Sequence, residues 1–128
     1  MINELSKQIH QNAKNKGFYE GEKNIGEMLA LIHSEVSEVL EADRKDHHAN
    51  VKGFEEDLKF WDEMMRDYNR KYVNTFEHCI KNSFEDELAD IMIRVMDLAG
   101  YKGVDLEKHI ALKMKYNSLR EHKHGKKY

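Results

Sequence analysis

The sequence predicts an all-α protein, and three features of the chain support that fold class. Apolar residues recur at offsets of three and four positions in several long segments, which is the spacing of one helical face. The alternation that marks a half-buried strand is scarce. The chain has no proline, and 40% of its residues are hydrophobic while 35% are charged. We therefore expect one domain over residues 1–128, a bundle of about five helices.

Two helices are expected in the first third of the chain. Residues 2–16 form the first, which Gly17 is expected to end. The second covers residues 25–44 and has Asn24 as its expected cap. Its apolar face is formed by five residues that share one side: Leu29, Ile32, Val36, Val39 and Leu40. Beside that face lie two acids one turn apart, Glu35 and Glu38.

The segment over residues 49–82 has the least regular pattern of the chain. Five large side chains fit one helical stripe that is interrupted by many charges: Phe54, Leu58, Trp61, Met65 and Tyr68. Residues 74–82 are compatible with a loop or a short helix.

The chain is organised around the segment 84–100. Its apolar residues fall on one helical face: Leu88, Ile91, Val95 and Leu98. Ser83 is expected to cap this helix, with Asp86 three residues on, and Gly100 to end it in a left-handed turn. Glu87 and Asp90 lie one turn apart at the border of the apolar face.

A last helix is expected from Asp105, its cap, to about Leu119. The tail over residues 121–128 is polar and basic. Such a terminus is usually disordered, although it could also close over an anion.

Two helices thus each carry a pair of acids beside an apolar face. An acid in that position is costly unless it has a partner. If the two helices face each other, four carboxylates converge, and hard divalent cations such as Mg²⁺ take such oxygen ligands together with substrate phosphates. A pair of metal ions in such a cage suits the hydrolysis of a phosphoanhydride. The alternative is that these acids pair with Lys or Arg. A di-iron bundle would need Glu-x-x-His, which neither helix has.

The composition of the chain limits the classes of partner and the compartments that we expect. The formal net charge of −3 argues against general binding to a nucleic-acid backbone. Cys79 is the only cysteine, so no internal disulfide can form, and a reducing cytoplasm fits. No apolar run is long enough to span a bilayer. Because short helical chains often need a partner to bury their apolar sides, we expect at least a dimer.

At the acidic residues the sequence resembles the MazG-like branch of the all-α nucleoside triphosphate pyrophosphohydrolases. The family pattern is Glu-x-x-Glu on one helix and Glu-x-x-Asp on the next, and it is present as Glu35-Val36-Ser37-Glu38 and Glu87-Leu88-Ala89-Asp90. The closing segment 113–120, followed by residues 124–126, is similar too. The resemblance covers about residues 17–45 and 76–126. The gap of 49 positions between Glu38 and Glu87 is longer than in compact members of the family. Compared with those members, residues 46–75 look like an inserted helical segment, a hairpin or arm that could enclose the base or mediate assembly.

The resemblance implies a Mg²⁺-dependent enzyme, with Mn²⁺ as an alternative ion, that cleaves between the α and β phosphates of a nucleotide. The products would be a nucleoside monophosphate and pyrophosphate, in a house-cleaning role. Four residues would hold the metal: Glu35, Glu38, Glu87 and Asp90. Glu38 would be the base, acting through a water. Four residues would contact the substrate: Lys113, Asn117, Arg120 and Lys126. A homodimer or homotetramer is expected, and the rival hypothesis is a helical nucleotide-binding, oligomerisation or regulatory module without turnover.

Overall fold

The computed structural model of the chain describes residues 1–128, and it contains helices but no strand. The all-α prediction is therefore confirmed. Six α-helices and one short 3₁₀ helix follow one another along the chain: α1 (Ile2–Asn15), α2 (Ile25–Arg44), α3 (Val51–Leu58), α4 (Tyr68–Cys79), α5 (Phe84–Lys102), α6 (Leu106–Ser118) and η1 (His122–Gly125). None of these helices combines the length and the hydrophobicity that crossing a membrane requires.

The chain divides into two compact units, which we name by their place in the sequence. The central unit is residues 25–92 and holds α2, α3, α4 and the first half of α5. The terminal unit is residues 1–24 with residues 93–128 and holds α1, the second half of α5, α6 and η1.

The segment near residues 46–75, predicted to be an inserted hairpin or arm, contains α3 and most of α4 in the central unit, and α4 continues to Cys79. Its two helices pack through aromatic rings, because Phe54 meets Tyr72 edge to face at 5.3 Å. The single stripe predicted across this segment is wrong, since Trp61 and Met65 lie in the irregular connection between the two helices. There the Asp62 side chain accepts a hydrogen bond from the backbone N–H of Met64 at 2.8 Å, a local bond that competes with helix. This break accounts for six α-helices where about five were expected.

The start of α5 is fixed as the sequence predicted. The fully buried Ser83 accepts a hydrogen bond from the backbone N–H of Asp86 at 3.2 Å. In return the Asp86 carboxylate accepts one from the backbone N–H of Asn82 at 2.9 Å. The first bond satisfies an N–H group that a helix start leaves without a partner inside the helix, and the second holds the residue before the cap. They also set the position of Glu87 in the first turn.

A second set of contacts ties the connection after α2 to the start of α5. The Glu85 carboxylate accepts a hydrogen bond from the backbone N–H of Ala49 at 2.9 Å and contacts the His48 ring at 3.0 Å. The backbone N–H of Phe84 donates to the carbonyl of His47 at 2.9 Å. The bond from Ala49, assisted by His48, lowers the pKa of Glu85 to about 2. The end of α2 is thereby held beside the helix that carries Glu87.

The prediction that Gly100 ends α5 is wrong. The helix continues to Lys102, and the left-handed residue is Gly103, with φ of 65°. Gly100 instead allows close packing with α1 in the terminal unit, because a Cβ there would lie 2.8 Å from the Cβ of His10. Glycine is needed at this position because a side chain has no room there, and not because the backbone makes a left-handed turn.

Polar contacts fasten α1 to its neighbours in the terminal unit. The Ser6 hydroxyl donates to the carbonyl of Met96 on α5. The Asn3 side-chain amide donates to Asp105 at 2.7 Å, and Asp105 caps α6 by accepting from the backbone N–H of Lys108 at 3.1 Å. The predicted cap of the last helix is therefore confirmed.

The predicted apolar face of α2 is only partly buried in the structure. Ile32 and Val39 are part-buried, but three residues of the face remain 47%, 50% and 50% exposed: Leu29, Val36 and Leu40. The buried residues of this helix are Glu35 and Ala42. Periodicity identified the apolar face, but it could not show how much of that face the rest of the chain covers.

We predict that Ser83→Ala lowers the free energy of unfolding by about 1 kcal/mol, because a buried cap is lost and the N–H of Asp86 keeps no partner. The matched control is Ser118→Ala, which removes an exposed hydroxyl that bonds the carbonyl of Lys115 at 2.7 Å. It should change stability by less than about 0.5 kcal/mol. Urea unfolding followed by circular dichroism measures both, and equal losses would contradict the assigned role of Ser83.

Candidate metal centre

Three carboxylates converge inside the central unit. Glu35 and Glu38 extend from α2, and Glu87 extends from the first turn of α5. One carboxylate oxygen of each residue lies within 4.8 Å of those of the other two. Two of the three predicted Glu ligands are deeply buried, since Glu35 is 6% and Glu87 is 4% exposed, while Glu38 is open to solvent. We call these three residues the acidic cluster.

Local sequence explains why the acids meet. Glu35 and Glu38 are three positions apart on α2, so they lie on the same side of that helix. The small Ala42, two turns after Glu35, is also buried on that side. On α5, the cap at Ser83 and the contacts of Glu85 described above fix the turn that carries Glu87.

The carboxylate of Glu87 lacks a complete set of partners. Its Oε2 atom is buried and accepts no hydrogen bond. Burial raises the pKa of Glu87 to about 7, and the neighbouring Glu38 carboxyl and the negative charges of Asp90 and Asp86 act in the same direction. The Glu38 and Glu87 carboxyls can share a hydrogen bond only if one of them carries a proton. A bound cation or a shared proton can therefore offset the repulsion within the cluster.

The chemistry of the donor set indicates which cations fit. All three side chains offer oxygen, and the cluster contains neither His nor Cys. Oxygen-only sites suit hard divalent ions, whereas zinc and iron sites in proteins usually include nitrogen or sulfur. The exposed Glu38 leaves one side of the cluster accessible to water and to a ligand. The orphan oxygen of Glu87, 4% exposed and next to two other acids, is the observation that points to a bound cation.

Asp90, the fourth predicted ligand, lies one turn after Glu87 on α5 but outside the group of three. It is partly buried, and it is close enough for its charge to raise the pKa of Glu87. Its role as a ligand stays a prediction, as does the role of Glu38 as a base.

The predicted substrate-binding residues belong to the terminal unit. The Lys113 ammonium lies 4.8 Å from the centre of the Tyr116 ring, and the Arg120 guanidinium lies 5.4 Å from the same ring. Arg120 also donates to the backbone carbonyl of His124 at 3.1 Å, which links the end of α6 to the tail. Asn117, which lies between Lys113 and Arg120 in the sequence, is partly buried, and Lys126 follows η1. The structure thus brings Lys113 and Arg120 to one aromatic ring, while their contact with a substrate stays a prediction.

Sequence reasoning missed the pairing of His48 with Glu85, which helps to position the cluster. An acid at the start of a helix is a weak signal for such a contact, because it could equally bond its own helix. Its partner lies 37 positions earlier in the chain, and no local pattern identifies it.

Comparisons of the chain with protein families, with curated proteins and with solved structures gave no match. The functional argument therefore depends on the residues and their geometry.

We predict an unusual pH dependence of stability from the acidic cluster. The pKa of Glu87 rises from its ordinary 4.5 to about 7 on folding, so the folded chain binds more protons than the unfolded chain between these values. Stability should then fall as pH rises from about 4.5 to about 7 without a divalent cation, by up to about 3 kcal/mol from this group. Urea unfolding at several pH values in EDTA measures the effect.

Glu87→Gln is the matched variant for that prediction, since it keeps the size of the side chain and removes the charge. Its stability relative to wild type should increase steadily across this pH window, and added divalent cation should stabilise wild type more than the variant at pH 8. Parallel pH profiles for the two proteins would contradict the perturbed pKa.

Proposed function

We propose that this protein is a Mg²⁺-dependent nucleoside triphosphate pyrophosphohydrolase, which cleaves the α–β phosphoanhydride to give a nucleoside monophosphate and pyrophosphate. The observation that carries the proposal is the acidic cluster, with two buried carboxylates, one exposed carboxylate and an orphan oxygen on Glu87. An oxygen-lined cation site that is open on one side is the arrangement with which proteins bind Mg²⁺ together with phosphates.

The proposal places the chain in the MazG-like class of all-α pyrophosphohydrolases. Support comes from the two motifs, which lie on α2 and α5, and from the convergence of three of their four acids. Glu35, Glu38 and Glu87, with Asp90 as a fourth candidate, would hold the Mg²⁺. When bound, the cation would neutralise phosphate charge and activate the attacking water as a Lewis acid.

The three glutamates have different roles in this proposal. Glu35 and Glu87 are buried, so their carboxylates are fixed in place and suited to hold a charge. Glu38 is exposed, so its carboxylate can reach a water molecule and take its proton during attack on the phosphate. Glu38 is therefore the proposed general base.

The substrate proposed is a nucleotide whose phosphates or sugar contact Lys113, Asn117, Arg120 and Lys126. Cations suit phosphate oxygens, and the Arg120 side chain is already oriented by Tyr116 and by the carbonyl of His124. We further propose that the protein clears unwanted nucleotides in the cytoplasm as a homodimer or homotetramer. The unpaired, buried Cys79 agrees with a reducing compartment.

The proposal is tested by pyrophosphate release from a panel of ribo- and deoxyribonucleoside triphosphates, with Mg²⁺ or with EDTA. We expect release that depends on Mg²⁺, with the monophosphate as the second product. Glu38→Gln should reduce kcat by about 100-fold or more, because a general base is lost. The matched control is Glu41→Gln, which removes an exposed acid one turn later on α2 that pairs with Lys45 at 3.1 Å. Its activity should stay near that of wild type.

Two outcomes would contradict the catalytic proposal. One is that the folded protein with Mg²⁺ releases no pyrophosphate from any triphosphate in the panel. This result would favour the module that binds nucleotide without turnover. The other is an equal loss in the Glu38→Gln and Glu41→Gln variants.

For the substrate contacts, Arg120→Gln should raise KM about tenfold, because a charged hydrogen-bond donor to phosphate is removed. Lys115→Gln is the control, since it removes an exposed positive charge from the same helix at a position where no role is proposed. Steady-state kinetics of both variants gives the two KM values to be compared. If both raise KM equally, general attraction by the basic end of the chain explains the effect and Arg120 has no specific contact.

A further inference from the structure

His48, in the connection that follows α2, contacts a carboxylate with each of its two ring nitrogens. Its Nδ1 atom lies 3.0 Å from Oε1 of Glu85 at the start of α5, and its Nε2 atom lies 3.3 Å from Oδ1 of Asp46. An ionised carboxylate accepts hydrogen bonds but cannot donate them, so each ring nitrogen must carry a hydrogen to bond its partner. A neutral imidazole has a hydrogen on one nitrogen only. The geometry therefore fits the charged, imidazolium form of His48.

Asp46 is an unusual residue for its position at the end of α2. It is in the left-handed conformation, with φ of 51°. Its backbone N–H donates to the carbonyl of Asp43, and that of the next residue donates to the carbonyl of Ala42, both at 3.0 Å. This is the Schellman ending of a helix, in which glycine or asparagine usually holds the left-handed position. An acid there also adds negative charge to the negative end of the helix dipole, and an imidazolium beside it offsets that charge.

Glu85 is the partner of His48 on the side of α5, and both of its carboxylate oxygens are held. Its Oε2 atom accepts a hydrogen bond from the backbone N–H of Ala49 at 2.9 Å, while its Oε1 atom contacts the imidazole. The centre of the Phe84 ring lies 5.9 Å from the centre of the His48 ring. Glu87 follows Glu85 by two residues, so these contacts join the segment after α2 to the turn that carries an acid of the cluster.

We propose that His48 is a proton-dependent positioning residue for the candidate metal centre. As an imidazolium it joins Asp46 to Glu85, and it thereby holds the end of α2 against the first turn of α5. These two helices carry the acidic cluster. Loss of the proton leaves one of the two carboxylates without a donor, so the hold weakens as pH rises. The inference rests on the cation site of the proposed function, but it does not depend on turnover.

Both charged groups that face the ring favour its proton. The hydrogen bond that His48 donates to Glu85 is the largest cause that raises the pKa of His48 above its ordinary 6.5, and the charges of Glu85 and Asp46 add to it, while desolvation acts the other way. The pKa of Glu85 is about 2, so this partner stays ionised at neutral pH. Because folding raises the pKa of His48, its contribution to stability is complete below pH 6.5 and is lost as pH rises through the higher value in the folded chain.

The protonation of His48 is tested by the ¹⁵N chemical shifts of its ring nitrogens over a range of pH. The titration midpoint should lie above 6.5, with a hydrogen on both nitrogens below it. Asp46→Asn should lower that midpoint, because asparagine tolerates the left-handed conformation and removes the charge. A midpoint at or below 6.5, or the same midpoint in wild type and Asp46→Asn, would overturn the proposal.

Cation affinity tests whether His48 positions the metal centre, with Mn²⁺ as the probe and electron paramagnetic resonance as the readout. At pH 6.5, His48→Gln should bind Mn²⁺ about threefold more weakly than wild type, which is the size of effect that an exposed charged pair supplies. The control is His47→Gln, which changes a neighbouring exposed histidine that makes hydrogen bonds through its backbone. Its affinity should equal that of wild type.

The same titrations at higher pH separate His48 from the acids of the cluster. Ionisation of Glu87 changes the affinity of wild type and His48→Gln alike, so the ratio of the two affinities reports on His48. This ratio should approach one toward about pH 8.5, because wild type then also lacks the imidazolium. A ratio that stays constant with pH, or an equal loss in His47→Gln, would overturn the proposal.

The remaining outcomes distinguish this proposal from the proposed cation site. A wild type that binds no Mn²⁺ would remove both, whereas unchanged affinity in His48→Gln would remove the role of His48 alone. Asp46→Asn covers the case in which His48→Gln does not fold, since it changes a side chain that is 95% exposed. Its affinity for Mn²⁺ at pH 6.5 should also lie below that of wild type, and an equal affinity would overturn the proposal.

Discussion

One electrostatic repulsion dominates the central unit, namely that between the buried carboxylate of Glu87 and the carboxylates of Glu35 and Glu38. Three acids this close cannot all ionise in a poorly hydrated place unless a cation or a proton offsets their repulsion. The surrounding contacts hold this arrangement in place, since Ser83 fixes the first turn of α5 and Glu85 ties that turn to the segment after α2. A fold that retains such a cost at neutral pH is suited to bind a cation.

The two sides of α2 have different surroundings. One side carries Glu35 and Ala42 and is buried within the chain. The other carries Leu29, Val36 and Leu40, which stay about half exposed. A single helix thus places an acid of the cluster in the interior and three apolar side chains at the surface.

Much of the fold and part of the site were predictable because they depend on neighbours in sequence. The helical class, the caps at Ser83 and Asp105, and the pairing of Glu35 with Glu38 on one side of α2 all follow from spacings of three or four residues. Contacts between distant segments were not predictable. Periodicity could not reveal that Gly100 packs against α1, that Glu85 meets His48, or that half of the apolar face of α2 stays exposed.

The most direct test of the central claim is an anomalous difference map from crystals of the protein grown or soaked with Mn²⁺. The account predicts a peak within about 2.0–2.6 Å of carboxylate oxygens from Glu35, Glu38 and Glu87. A second peak coordinated by Asp90 would support the proposed role of Asp90 as a ligand. A map without a peak at the acidic cluster, with Glu87 hydrogen-bonded to Glu38 through a shared proton, would contradict the account.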